Sequence, residues 1–229
     1  MKLTKILSLI ILTQFFACKN PAVEPQEKPP HWFANYYVRY LQTERQLKAH
    51  ASFLEGDSLK NAEPKRFRGG VSFQGKRMEM RNLNNKVFRY LLNEEANYSD
   101  SFLFRHRDEE GNYWEYTIKM NPIEDFFVKN EISKSKGMSL IIKGGILQEN
   151  EELILLFSDQ DSKAASISIT GPSNTIEFFI EPEKLHNLTP GPGQLYLVKK
   201  QVNQDQEERL SAVSSIEFYS KTIDIEVLE

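Results

Sequence analysis

The densest concentration of recognition chemistry is the segment Lys65-Arg66-Phe67-Arg68-Gly69-Gly70, followed closely by Lys76, Arg77 and Arg81. Guanidinium forks suit bidentate contact with carboxylate, sulfate or phosphate. The segment therefore reads as a contact for an acidic glycan or for lipopolysaccharide. Its plainer reading is a solvated strand-and-turn face balanced by Glu63 and Glu79. A second concentration is the aromatic run Trp32, Phe33, Tyr36, Tyr37 and Tyr40. Exposed rings of this kind stack on sugars and anchor protein interfaces, whereas in a β-rich domain such residues fill the core. Most of the run is expected in the core, with Trp32 the exception, exposed where the chain enters the first domain. The expected ligand contacts are Trp32, Arg66 and Arg68.

Catalytic chemistry is not signalled. The histidines His31, His50, His106 and His186 form no HxH or HExxH pair, so the spacing predicts no transition-metal site. Asp159-Gln160-Asp161 lacks the glycine and distal Glu of an EF-hand loop and reads as a turn that ends a strand. There is no G-x-S-x-G elbow, no phosphate-binding Gly-rich loop and no dinucleotide fingerprint. No catalytic residue, metal or cofactor is expected, and the chain is read as not an enzyme.

Composition narrows the field further. The 229 residues carry a formal net charge of −3, one cysteine, 27% charged residues and 40% hydrophobic residues. A near-neutral chain does not suit a mainly electrostatic nucleic-acid binder. One cysteine closes no disulfide within the chain. The hydrophobic content is enough for a packed core.

The elements that must position these residues are strands. Residues 112–120 alternate, with Trp114, Tyr116, Ile118 and Met120 on one face, which is the half-buried strand pattern. Phe102, Phe104 and His106 alternate before them, and Gly111 between the two runs can supply the positive φ of a hairpin loop. Residues 48–54, 71–80 and 86–92 read as further strands. In the second half, 166–170, 175–180, 195–199, 216–219 and 223–227 alternate or are rich in β-formers. Leu153 to Phe157 is a continuous apolar run, as in a strand buried on both faces. The best helix is one turn at 182–185. Many short strands with Gly/Pro turns predict an all-β chain of two β-sandwich domains, 31–130 and 131–229. No internal repeat relates them.

The N-terminus is an address. Lys2 and Lys5 precede an apolar stretch of about a dozen residues, which is a secretory signal pattern and too short for a permanent span. It ends in Phe15-Phe16-Ala17-Cys18, which resembles the lipobox of bacterial lipoproteins. The resemblance implies that 1–17 is a signal peptide cut before Cys18, whose thiol is acylated. Residues 18–30 then form a tether with Pro21, Pro25, Pro29 and Pro30, spanning about 30–40 Å if extended as polyproline. Lys19 after the cysteine favours the outer membrane of a Gram-negative, Bacteroidota-like envelope. Surface and periplasmic faces stay open. The second half carries its own likeness: 181–185, then Leu188, Gly191 and the strand 195–198 resemble the corner between the fifth and sixth strands of immunoglobulin-like domains. That implies an Ig-like sandwich for 131–229.

The halves differ in charge. Residues 31–130 hold sixteen basic and fourteen acidic residues (+2); 131–229 hold nine and sixteen (−7). Every arginine except Arg209 lies in the first half. The expectation is a non-catalytic envelope lipoprotein, held to the membrane by its lipid anchor, that binds glycans or envelope proteins. A periplasmic assembly subunit of a secretion or motility complex and a hydrolase are the alternatives, and oligomeric state is open.

Overall fold

The computed structural model describes residues 31–83, 86–161 and 163–229. The expected signal peptide, Cys18 and the tether lie outside them. The chain is almost entirely β. The first half supplies β1 (His31–Leu41), β2 (Gln46–Gly56), β3 (Glu63–Pro64), β4 (Val71–Phe73), β5 (Lys76–Arg77), β6 (Glu79–Leu83), β7 (Val87–Glu95), β8 (Ser101–Arg107) and β9 (Tyr113–Lys119). The second supplies β10 (Asp125–Val128), β11 (Ile132–Ser133), β12 (Met138–Lys143), β13 (Glu151–Asp159), β14 (Ala164–Thr170), β15 (Glu177–Ile180), α1 (Pro182–Leu185), β16 (Gly191–Gln206), β17 (Leu210–Tyr219) and β18 (Ile223–Leu228).

One long sheet runs through the molecule. From one end its strands are β6, β7, β2, β1 and β17. β17 pairs with the C-terminal half of β16, and β18 with its N-terminal end on the same edge; β13 pairs with residues 193–201 of β16 on the other edge, and β14 lies beyond β13. β1 pairs with β17 in parallel over ten residues, from Trp32 opposite Leu210 to Leu41 opposite Tyr219. The sheet thus draws strands from both sides of residue 130. Between β17 and β18 the register against β16 shifts by one residue, the signature of a bulge. Ser220 fills it, its Oγ accepting the Leu197 N–H at 2.8 Å.

Strand parity decides which face is buried, because successive side chains point to opposite faces. Leu153 on β13, Lys199 on β16, Phe218 on β17, Tyr40 on β1 and Leu47 on β2 stand in register across the sheet, and all are buried. Two small sheets pack on this one inner face. The sheet β5-β4-β8-β9 contributes Val71, Phe73, Phe102, Phe104 and Ile118; the sheet β10-β12-β15 contributes Phe126, Met138, Leu140, Ile142, Phe178 and Ile180. The result is a β-sandwich with a shared back layer and two front sheets side by side. β13 alternates between buried and half-buried residues, so the run 153–157 is covered on one face instead of both. The outer face of the long sheet bears polar aromatic contacts. Tyr37 stacks on His50 at 4.6 Å and donates to Glu217 at 2.6 Å. Among the described residues, no helix is long and apolar enough to cross a membrane.

Candidate functional site

Parity also explains the arginine segment. After β3, Phe67 turns inward, fully covered, and its backbone N–H donates to the Tyr90 hydroxyl at 2.9 Å. With Phe67 inside, Arg66 and Arg68 on either side project outward, and both are exposed. The chain then turns at Gly70, whose N–H reaches the Phe67 carbonyl at 3.0 Å and whose φ is +78°. β4 and β5 form a two-residue hairpin with positive φ at both Gln74 and Gly75, the geometry that matches strand twist. That hairpin returns Arg77 beside the loop.

Arg66, Arg68 and Arg77 line one pocket of about 390 Å³, together with Gly70, Met78 and Tyr90. A Cβ at Gly70 would stand 3.5 Å from the Arg77 guanidinium; the bare glycine leaves that space open. Glu79 is at the rim, but Arg81 holds its carboxylate at 3.0 and 3.2 Å and keeps it below the usual carboxylate range. Arg66, Arg68 and Arg77 make no ion pair among the described residues. Arg77 also lines a second, smaller pocket with Arg105, Arg107 and Tyr113 on the outer face of the β5-β4-β8-β9 sheet. There Arg105 is paired with Glu115, and Arg107 lies 4.3 Å from the Tyr113 ring centre. The arrangement can bind an anion through planar forks beside an apolar floor.

Trp32 sits elsewhere. It is 2% exposed, packed edge-on against Trp114 at 4.9 Å and Phe67 at 5.4 Å. The Arg209 guanidinium covers both indoles, 5.1 Å from Trp32 and 5.6 Å from Trp114. Its Nε1–H donates to Glu55 at 2.8 Å. Burial raises the Glu55 carboxyl, and hydrogen bonds from Lys65 and Trp32 outweigh it, so Glu55 titrates below its ordinary range. The structure therefore brings Arg66 and Arg68 together, adds Arg77, and places Trp32 in the core instead of at an exposed platform. Pairing with β2 and β17 on both sides, not adjacency to the tether, decides its burial. Arg77 could have been found from Gln74-Gly75, a two-residue turn that folds 76–77 back on 71–73.

Other titratable groups do not converge. His106 is 3% exposed among Phe67, Phe53 and Trp32, and its Nε2 has no hydrogen-bond partner. Burial pushes its pKa down to about 4. His50 is lowered to about 4 as well, by burial and by the Arg89 charge. The Asp159 carboxylate is used locally, accepting the backbone N–H of Asp161 and Lys163 at 3.0 and 2.9 Å. A larger groove of about 590 Å³ lies on the outer face of the long sheet among Phe33, Leu54, Leu59 and Val213. Asp205 also borders it, but its carboxylate accepts the hydroxyl of Tyr116 on the front sheet.

Comparison with known proteins adds little to this geometry. No family model matches the chain, and no curated protein matches its sequence. Among solved structures, a chain described as "Cytokine receptor complex - Crystal form 1A" aligns over 83% of this chain and 95% of its own, with 9% identity and a TM-score of 0.33.

Proposed function

We propose that the protein is a non-catalytic outer-membrane lipoprotein whose folded body binds an acidic glycan through Arg66, Arg68 and Arg77. The observation that carries this reading is three guanidinium groups, without an ion pair among the described residues, around one pocket of about 390 Å³. Uncompensated arginines on a folded surface repel one another unless an anion joins them, and a fork geometry matches the carboxylate of a uronic acid or a sulfate ester. The apolar floor of Met78 and Tyr90 suits the carbon face of a sugar. Cys18 supplies the membrane attachment in this reading, with two or more acyl chains giving a stable anchor where one is marginal. The Ig-like reading of 131–229 rests on buried Leu185 and Leu188 ahead of β16.

Titration calorimetry of the purified chain with a uronic-acid oligosaccharide tests the ligand. A charge-assisted hydrogen bond contributes about 1.5–3 kcal/mol, so Arg66→Ala/Arg68→Ala should weaken binding by about tenfold or more. Affinity should also fall as salt rises. Undiminished affinity in the double variant, or no binding by the parent chain, overturns the reading. Cys18→Ser should release the protein from the membrane pellet; a variant that still pellets overturns the anchor.

A further inference from the structure

The edges of the sheets differ in one respect. β6, β9, β5, β10 and β15 all carry charged residues, β3 carries a proline, and β11 is only the two residues Ile132–Ser133. Charge and proline on an edge discourage pairing with another chain. β14, Ala164-Ala165-Ser166-Ile167-Ser168-Ile169-Thr170, has neither over seven residues, and among the described residues β13 is its one strand partner.

Its free edge can be specified. The Gly171 N–H donates to the Glu151 carbonyl at 2.9 Å, and the Asp159 N–H to the Lys163 carbonyl at 3.0 Å. Hydrogen-bonded pairs alternate along an antiparallel ladder, so Ala165, Ile167 and Ile169 aim their main-chain groups at β13. Ala164, Ser166, Ser168 and Thr170 aim theirs outward. We propose that this edge pairs with the same edge of a second copy of the chain, antiparallel and with the two-fold axis at Ile167.

The register follows from the residues. With Ile167 on the axis, Ser166 faces Ser168 of the second copy and Ala164 faces Thr170, so all eight outward residues enter hydrogen-bonded pairs. Sliding by two residues either puts Ala164 opposite Pro172, which has no N–H, or brings Lys163 opposite Ile169. In the central register hydroxyl meets hydroxyl on the outer face, a favourable cross-strand pair. On the inner face Ile169 meets Ala165, large against small, and Ile167 meets its own copy. A second copy is the occupant the strand itself fits, because about Ile167 its outward main-chain groups, its hydroxyls and its inward side chains all meet their own counterparts. Identical surfaces repel wherever they carry net charge, and β14 carries none, while Lys163 beside it is already paired with Asp161 at 3.9 Å.

Sedimentation of the detergent-solubilised full chain over a concentration series tests the pairing. The expected result is a reversible monomer–dimer equilibrium. Ser168→Pro removes an outward N–H and leaves the β13 ladder intact. It deletes two of the eight hydrogen bonds of the pair and should weaken dimerisation by about tenfold or more, with the melting temperature of the monomer unchanged. Cross-linking reads the register. Ile167→Cys should form an intermolecular disulfide, because a non-hydrogen-bonded pair brings Cα atoms to about 4.5 Å, within disulfide reach. Ser166→Cys alone should not cross-link, whereas Ser166→Cys/Ser168→Cys should; the parent, with Cys18 alone, is the blank. A monomer at every concentration up to about 1 mM overturns the proposal and leaves the edge to an extended segment of another protein. A dimer indifferent to Ser168→Pro, or cross-linking through Ser166→Cys but not Ile167→Cys, overturns it equally.

Discussion

Replacing Lys199 with Met should destabilise the protein more than almost any surface change. Lys199 is 1% exposed and Glu151 2%, and Nζ lies 3.0 Å from the Glu151 carboxylate. Nζ also donates to the Ile146 carbonyl at 3.0 Å, and Glu151 accepts the Gln148 N–H at 2.8 Å. The pair stands at the seam of the sandwich. On one side of Lys199 is Leu153 of β13, and on the other is Phe218, whose ring meets Tyr98, which in turn meets Phe102 of the first front sheet. Water does not reach it. A Lys199→Met change leaves a carboxylate buried with one backbone donor, and breaking a buried pair from one side costs about 3–5 kcal/mol. For a folded body of about 200 residues, each kcal/mol moves the melting temperature by about 2–4 °C. The expected fall is therefore about 6–20 °C by circular dichroism at pH 7, with a matching drop in urea midpoint at unchanged slope. Lys199→Met/Glu151→Leu removes both charges and should recover most of the loss, because apolar replacement of a buried pair is often neutral or better. A fall below about 1 kcal/mol in the single variant, or a double variant no better than the sum of the singles, would refute the claim that desolvation dominates at this seam.

Two further predictions concern the cluster around Trp32. In the unfolded chain His106 takes up a proton near its ordinary 6.5, whereas the buried ring holds out to about 4. The unfolded state binds more protons across that window, so stability falls as pH drops from about 6.5 towards 4. The full effect is roughly 3 kcal/mol from the shift of the buried ring. Because Nε2 makes no hydrogen bond, His106→Phe should flatten this pH slope without a large loss at pH 7, as read by urea unfolding at several pH values. Trp32→Phe removes the donor to Glu55 and part of the Arg209 contact, costing about 1–3 kcal/mol. It should leave oligosaccharide affinity unchanged, since Trp32 is not in the arginine pocket; a selective loss of affinity would put the ligand at the tryptophans instead.

Alternation exposed the strands and their faces but not their neighbours. Phe102, Phe104 and His106 face inward together, Gly111 has φ +93° in the expected hairpin loop, and the one helical turn lies at Pro182–Leu185. Period two states which residues share a side. It says nothing about what lies alongside, and the parallel pairing of β1 with β17 joins segments about 180 residues apart that share no local signal. Trp32 illustrates the consequence: its position after a proline tether pointed outward, while its partners came from β17, the 207–209 turn and β9.

The buried ion pair shows that parity carries more information than hydrophobic residues alone reveal. In β16 the inward positions are Leu195, Leu197, Lys199 and Gln201; in β13 they are Glu151, Leu153, Leu155 and Phe157. β16 therefore announces, in sequence, a lysine in phase with an apolar row, and β13 announces an acid at each end of its own, Glu151 and Asp159. A lysine at such a position needs a buried acid, because an unpaired one costs more than the fold can spare. Antiparallel pairing that sets Leu155 against Leu197 sets Leu153 against Lys199 and brings Glu151 two residues away on the same face. The charge demand and the apolar register are satisfied together. Shifting β13 by two residues in one direction would set Leu155 opposite the ammonium and Glu151 opposite Asn203, without a cation, so the pair opposes slippage in that direction at the point where the long sheet passes from one front sheet to the other.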